Sequence, residues 1–215
     1  MKLSIMLTQL AQGMITSVEI FLLTLLFSLP LGLLVAFGRM SKNKVLSTIV
    51  KVYIAIMRGT PLMLQLIVVY FAPFYIFGMN LSGFRFPAII IAFSVNYAAY
   101  FAEIYRGGIE AIDKGQYEAA KVLGYSRAGT FFRIILPQVL KIITPSVTNE
   151  TITLVKDTSL AFVLAQAEMF TIAKQIAAKE ASVGPLMVAG VFYFVFNFVV
   201  AFVMDRIEKR LDYWS

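Results

Sequence analysis

The chain has 215 residues, of which 60% are hydrophobic and 14% charged, with a formal net charge of +7 and a mean hydropathy of +0.81. A soluble domain needs more charge than this to cover its surface, and the basic residues are scattered between apolar runs, which argues for membrane topology and against nucleic acid. The absence of cysteine and histidine excludes disulfides, thiolate chemistry and the commonest metal and proton-shuttle ligands.

A spanning helix requires about 20 mostly apolar residues. The first run, Ile20–Gly38, is too long for a signal-peptide core and lacks a small-x-small cleavage site, so it reads as a retained helix. Val45–Met57 forms either a longer start to the second span or an interfacial helix. The second and third spans are Pro61–Gly78 and Phe86–Ala102. A fourth, about Ile142 to Ala165, is interrupted by Asn149, Glu150, Lys156 and Asp157, and the fifth is Pro185–Met204. The expected fold is an all-α integral membrane protein with five transmembrane helices, one domain over residues 1–215. No linker, low-complexity tract or short-period repeat interrupts it, and the sequon Asn80-Leu81-Ser82 carries little weight.

Five spans put the termini on opposite sides, and lysine and arginine choose which is which. One set of loops holds Arg39, Lys42, Lys44, Lys51 and Arg58, then Arg106, Lys114, Lys121, Arg127, Arg133 and Lys141, then Arg206, Lys209 and Arg210. The opposite set holds Lys2, Arg85, Lys174 and Lys179. The richer side is cytoplasmic, so the N-terminus is expected outside and the C-terminus inside. The longest cytoplasmic loop then runs from about Glu103 to Lys141.

That loop contains Glu118-Ala119-Ala120-Lys121-Val122-Leu123-Gly124, nine further residues, and Ile134-Ile135-Leu136-Pro137. The pattern predicts a short helix ended by glycine in a left-handed conformation, a turn, and a proline in the first turn of the next helix. Two alanines permit close approach by another protein, and Val122 and Leu123 offer an apolar face. The full spacing resembles the EAA loop of ABC importer permeases, Glu-Ala-Ala-x3-Gly-x9-Ile-x-Leu-Pro, at every specified position. Arg58-Gly59-Thr60-Pro61-Leu62, Ala102-Glu103-Ile104-Tyr105-Arg106-Gly107-Gly108-Ile109 and Lys156-Asp157-Thr158-Ser159-Leu160 extend the likeness. Together they resemble the polar amino acid permeases, the group for histidine, glutamine, glutamate, arginine and opines.

The resemblance implies a five-helix core, a second permease subunit (identical or related), two ATPase subunits below and a solute-binding protein above. It implies a bacterial inner-membrane location. The coupling loop, about residues 109–137, is expected to dock on the ATPase. The chain contains no Gly-Lys dipeptide, so it has no P-loop. ATP and Mg are expected on the partner, and no cofactor on this chain.

Ionisable groups within spans are costly, at least ~2.5 kcal/mol on insertion scales, and mark pathways or partners. At about 100° per residue, Ser146, Asn149, Glu150, Thr153, Lys156 and Asp157 share one face of the fourth span, which cannot face lipid. Glu150 lies ~14 Å deep, near the midplane. Its carboxylate either receives the cationic part of an amino acid or ties the helix to a neighbour. With no second cation expected at that depth, it favours arginine, lysine and ornithine first, with histidine alongside, then glutamine, and glutamate last.

Lys156 and Asp157, with Arg58 and Pro61, are read as gating or structural residues. Asn96, Tyr97 and Gln65 join Glu150, Asn149 and Thr153 as candidate substrate contacts, the alternatives being interhelical hydrogen bonds and packing. Glu103 is expected to pair with Arg106, and Phe192 and Phe196 to pack or face lipid. An ion-coupled secondary transporter would need more spans or inverted repeats. An intramembrane enzyme would need a nucleophile–base pair that this chain lacks. A scaffold without transport has no use for the polar stripe.

Overall fold

The computed structural model describes residues 3–211, so the Lys2 assigned above to the outer side lies outside them. The described residues form helices and no strand. The first helix, α1 (Leu3–Arg39), is much longer than the apolar run that announced it. Its early turns carry Thr8, Gln9, Gln12 and Glu19, which ended the hydropathy signal. They stay helical because Leu10, Gly13 and Ser17 are buried on one face. The close approach at Gly13 is specific: an added Cβ would stand 2.8 Å from the Met169 backbone.

Residues 45–57 belong to a helix of their own, α2 (Lys44–Gly59). Asn43 caps it, its Oδ1 accepting from the Val45 and Leu46 amides at 3.0 and 3.3 Å, which satisfies two of the orphan donors of the first turn. Thr60 is extended (φ −123°, ψ 148°) and Pro61 precedes α3 (Leu62–Phe77). The two helices meet at 112°. The stretch read as the second span is therefore the latter half of a bent helix pair. The 16 residues of α3 reach ~24 Å at 1.5 Å per residue, short of the ~30 Å hydrocarbon core.

Next come α4 (Arg85–Glu110), the short α5 (Lys114–Val122) and α6 (Arg127–Thr130), and a wide π-turn over Phe131–Ile135. It runs without a break into α7 (Leu136–Asp157). The π-turn has a local cause: Pro137 has no N–H to return to the Arg133 carbonyl, so the ladder loosens one turn before it. A 3-10 turn (Thr158–Leu164), α8 (Met169–Glu180) and α9 (Gly184–Leu211) complete the chain. Four of these stretches are long and apolar enough to cross a membrane, and five if the bent pair counts as one span.

The packing centre is α4, whose Ile89, Phe93, Tyr97 and Phe101 are almost wholly buried. They pack with Ile20 and Phe21 of α1, Leu66 of α3 and Leu154 of α7. Small residues bring the helices close: a Cβ on Gly32 would stand 2.8 Å from that of Phe101, and one on Gly108 would overlap Ile143. Phe196 of α9 packs edge-on against Phe21, the centroids 5.2 Å apart. Phe192 joins a second cluster with Leu10, Met169 and Ala173.

Candidate functional site

Two regions gather most of the residues singled out by the sequence. The first is the loop between α4 and α7. Asp113 caps α5 through a 2.6 Å bond from the Gly115 amide. Gly124 ends the helix at φ +77°. The Tyr125 amide reaches the Ala120 carbonyl at 3.0 Å and the Gly124 amide reaches Lys121 at 3.1 Å, the paired closure of a glycine-terminated helix. Glu118 and Ala119 are exposed while Ala120 faces inward, 1% exposed. The close-approach role read for both alanines therefore rests on Ala119. Val122 and Leu123 are 87% and 74% exposed. They form an exposed apolar pair at the end of α5. Leu136 and Pro137 are half-buried at the root of α7.

The second region is a cavity of about 360 Å3 between α3, α4 and α7. Its wall includes Thr60, Pro61 and Leu62 at the α2–α3 break, Asn96, Tyr97 and Tyr100 of α4, and Glu150, Thr153 and Asp157 of α7. Positions 150, 153 and 157 recur at three and four residues, so one face of α7 presents them all. Two carboxylates thus stand on a single wall. The hydroxyl of Tyr97 donates to Asp157 Oδ2 at 2.7 Å.

Several candidates lie elsewhere. Asn149 and Lys156 are exposed and outside this cavity, although the Asn149 carbonyl accepts from Thr153 Oγ1 at 2.9 Å. Gln65 stands behind the break: its Nε2 donates to the carbonyls of Met57 (3.0 Å) and Thr60 (3.2 Å) and to Thr60 Oγ1 (2.8 Å). Asn96 does stand on the cavity wall, but its Nδ2 is committed, donating to Met57 O at 3.0 Å and to Gln65 Oε1 at 2.9 Å. Both amides hold the bend. Arg58, at the end of α2, lies with its guanidinium carbon 5.2 Å from the Tyr100 ring centroid. A cation therefore does stand beside the cavity, which counting depth along α7 alone did not reveal, because Arg58 comes from α2 and meets Tyr100 of the cavity wall. Glu103 pairs with Arg106 as expected, at 2.7 Å.

Glu168 was not foreseen. It is wholly buried at the start of α8. Its carboxylate accepts from the Phe170 and Thr171 amides at 2.6 Å each, from Thr171 Oγ1 at 2.7 Å and from the Tyr193 hydroxyl at 3.2 Å. An acid just before an apolar run is a recognisable helix-start signal. Its burial is not, since that depends on α9.

Comparison with known proteins identifies the family. The family model for the binding-protein-dependent transport system inner membrane component matches residues 28–213. The chain is 37% identical to the L-cystine transport system permease protein of Bacillus subtilis, over 94% of this chain and 86% of that protein. It is 34% identical to a putative glutamine transport system permease protein of Rickettsia conorii, over 94% of this chain and 92% of the other. Among solved structures, a chain of an amino acid ABC transporter crystallised with histidines superposes with a TM-score of 0.85 at 32% identity, covering 94% of both.

Proposed function

The chain belongs to the family of binding-protein-dependent transport system inner membrane components, and on that premise we propose that it is the membrane subunit of an ATP-driven importer that carries polar amino acids, basic ones foremost, into the cytoplasm. Such a permease subunit is not itself an enzyme. ATP and Mg belong to a partner ATPase, which docks on the surface around Glu118, Ala119, Val122, Leu123 and Gly124. A second permease subunit closes the open side of the cavity, a solute-binding protein delivers substrate from outside, and the remaining apolar helix faces meet lipid in the bacterial inner membrane. The N-terminus lies outside and the C-terminus inside. In support, Arg85 at the start of α4 bonds the Ala165 carbonyl at 3.2 Å, which joins two of the segments read as external. An ion-coupled mechanism has no support in a family defined by binding-protein dependence.

The observation that carries the substrate reading is the pair of carboxylates, Glu150 and Asp157, on one cavity wall. The amino acids in the relatives' names, cystine, glutamine and histidine, all bear an α-ammonium group, which one carboxylate can receive. A second carboxylate on the same wall favours a second positive charge. A rival reading comes from the Tyr97 bond to Asp157: if that bond persists in use, Glu150 alone meets substrate and a neutral amino acid such as glutamine is served as well.

Glu150→Gln keeps the shape and removes the charge. A charge-assisted hydrogen bond contributes ~1.5–3 kcal/mol, so arginine should bind the purified permease–ATPase complex about 10- to 150-fold more weakly, with ATP hydrolysis retained. Measuring without the solute-binding protein isolates the membrane site. Unchanged affinity would make Glu150 structural.

A further inference from the structure

Tyr100 joins the acidic cavity to a charged cluster at the coupling-loop end of α4. It lines the cavity and also carries the Arg58 guanidinium over its ring. A guanidinium nitrogen of Arg58 lies 4.0 Å from Glu103 Oε2. Glu103 gives its better geometry to another partner. Arg106 reaches both of its oxygens, Nε to Oε1 at 3.1 Å and Nη2 to Oε2 at 2.7 Å, a fork that a planar guanidinium fits well. Arg58 is the loosely held member, its side chain 45% exposed, and such a pair is weak.

Its backbone, by contrast, is fixed. The carbonyl of Met57, one residue before it, accepts from both Asn96 and Gln65 at 3.0 Å. Two residues after it, Thr60 is held by Gln65 through its carbonyl and its hydroxyl. A long cationic side chain therefore swings from a pinned base. The break that pins it also supplies Thr60, Pro61 and Leu62 to the cavity wall opposite Glu150 and Asp157. Tyr100, over whose ring the guanidinium rests, lines the same cavity as Glu150 and Asp157.

We infer that Arg58 is a tethered counter-cation of the acidic cavity: resting on Glu103 and Tyr100 it leaves the cavity acids open to a cationic solute, and swung inward it neutralises them and closes the end nearest the coupling loop. This rests on the acidic site proposed above and adds what regulates it. Glu103 and the cavity acids compete for one cation. Arg106 links Glu103 to Glu110 at the last turn of α4, three residues before the cap of α5. A displacement of the coupling loop thus bears on Glu110, then on Arg106, then on Glu103's hold over Arg58. Loosening that hold expels a cationic solute by replacing it.

The test uses the cysteine-free background. Thr153→Cys places one thiol on the cavity wall, and its modification rate is measured in the purified permease–ATPase complex. Two methanethiosulfonate reagents of similar size are compared, one bearing a trimethylammonium group and one a sulfonate. Arg58→Gln should raise the cation-to-anion rate ratio about threefold, and Glu103→Gln should lower it by a similar factor. Arg58→Met, which keeps the stem against Tyr100, should match Arg58→Gln and guards against a folding artefact.

The deciding result is the double variant. If Glu103 acts by restraining Arg58, Arg58→Gln with Glu103→Gln should give the ratio of Arg58→Gln alone. A double variant that returns to the parent ratio means two independent charges and overturns the inference, as does an Arg58→Gln ratio equal to the parent's. Glu150→Gln in the same assay reads the acidic site separately. Loss of its effect with the Arg58–Glu103 dependence intact would sink the substrate reading and leave the tethered cation standing.

Discussion

Tyr97 donates its hydroxyl to Asp157 at 2.7 Å across the cavity between α4 and α7, tying together two residues 60 apart in the chain. The Tyr97 ring is 2% exposed and stacks on Phe93, with centroids 6.4 Å apart. Tyr97→Phe preserves that packing and deletes one hydrogen bond to a carboxylate, worth ~1.5–3 kcal/mol. The variant should assemble with reduced thermal stability. Asp157, freed from its internal donor, should then raise the preference for arginine over glutamine, measured as the ratio of their affinities for the purified complex. An unchanged ratio would confine Asp157 to a structural role.

At the other end of the site, Gly124 tests the docking surface. A Cβ placed there meets nothing within 4 Å, so within this chain a substitution is opposed only by the left-handed backbone, by ~1–2 kcal/mol. Gly124→Ala bears that cost alone, whereas Gly124→Asp adds a carboxylate beside Val122 and Leu123. Both should insert normally. The aspartate variant should lose most ATPase co-purification or most substrate-stimulated ATP hydrolysis, and the alanine variant less. Equal, normal recovery and turnover in both would show that this helix end does not touch the ATPase.

The conformation of the loop between α4 and α7 was legible because its pattern is local. Cap, exposed apolar pair, glycine and proline lie within a stretch whose conformation depends on near neighbours. The α2–α3 break was not. Thr60-Pro61 signals a turn, but the placement of Arg58 beside Tyr100 depends on Asn96, 39 residues from the Met57 carbonyl that it holds. The early turns of α1 were missed for a related reason. Polar residues diluted the hydropathy of a segment whose burial is decided by Met169 and Ile172, more than 150 residues away in the chain. Residue type and helical spacing put Glu150, Thr153 and Asp157 on one face of α7, and all three line the cavity; they could not say that Asn96 and Gln65 would both donate to the Met57 carbonyl.

Glu168 gives a stability prediction that involves neither substrate nor ATPase. Its carboxylate satisfies four donors from α8 and α9 in a wholly buried setting. Glu168→Ala removes every acceptor at once. Unsatisfied buried donors cost ~1–3 kcal/mol each before relaxation, so the variant should be poorly recovered and unfold at a clearly lower temperature. Glu168→Gln keeps one acceptor oxygen and should lie between. If Glu168→Ala melts with the parent, water must replace the carboxylate freely and the site is not as closed as its geometry indicates.

The bend between α2 and α3 offers the last prediction. Met57 O is the shared acceptor of Asn96 and Gln65, and Asn96 also donates to Gln65 Oε1. The three groups form one unit, so their removal should not be additive. Asn96→Ala strips one bond from the Met57 carbonyl and one from Gln65, for ~1–2 kcal/mol, and opens space on the cavity wall. Gln65→Ala releases Thr60 as well as Met57. The double variant should be less destabilised than the sum of the two singles, because either change alone already loosens the shared unit. The same double should weaken substrate binding, since Thr60, Pro61 and Leu62 would no longer be held opposite Glu150. Thermal unfolding of the four proteins of this cycle, with arginine binding measured on each, separates the effects. Strict additivity in stability would mean that the two amides act independently. Unaltered binding in the double would mean that the break does not shape the cavity.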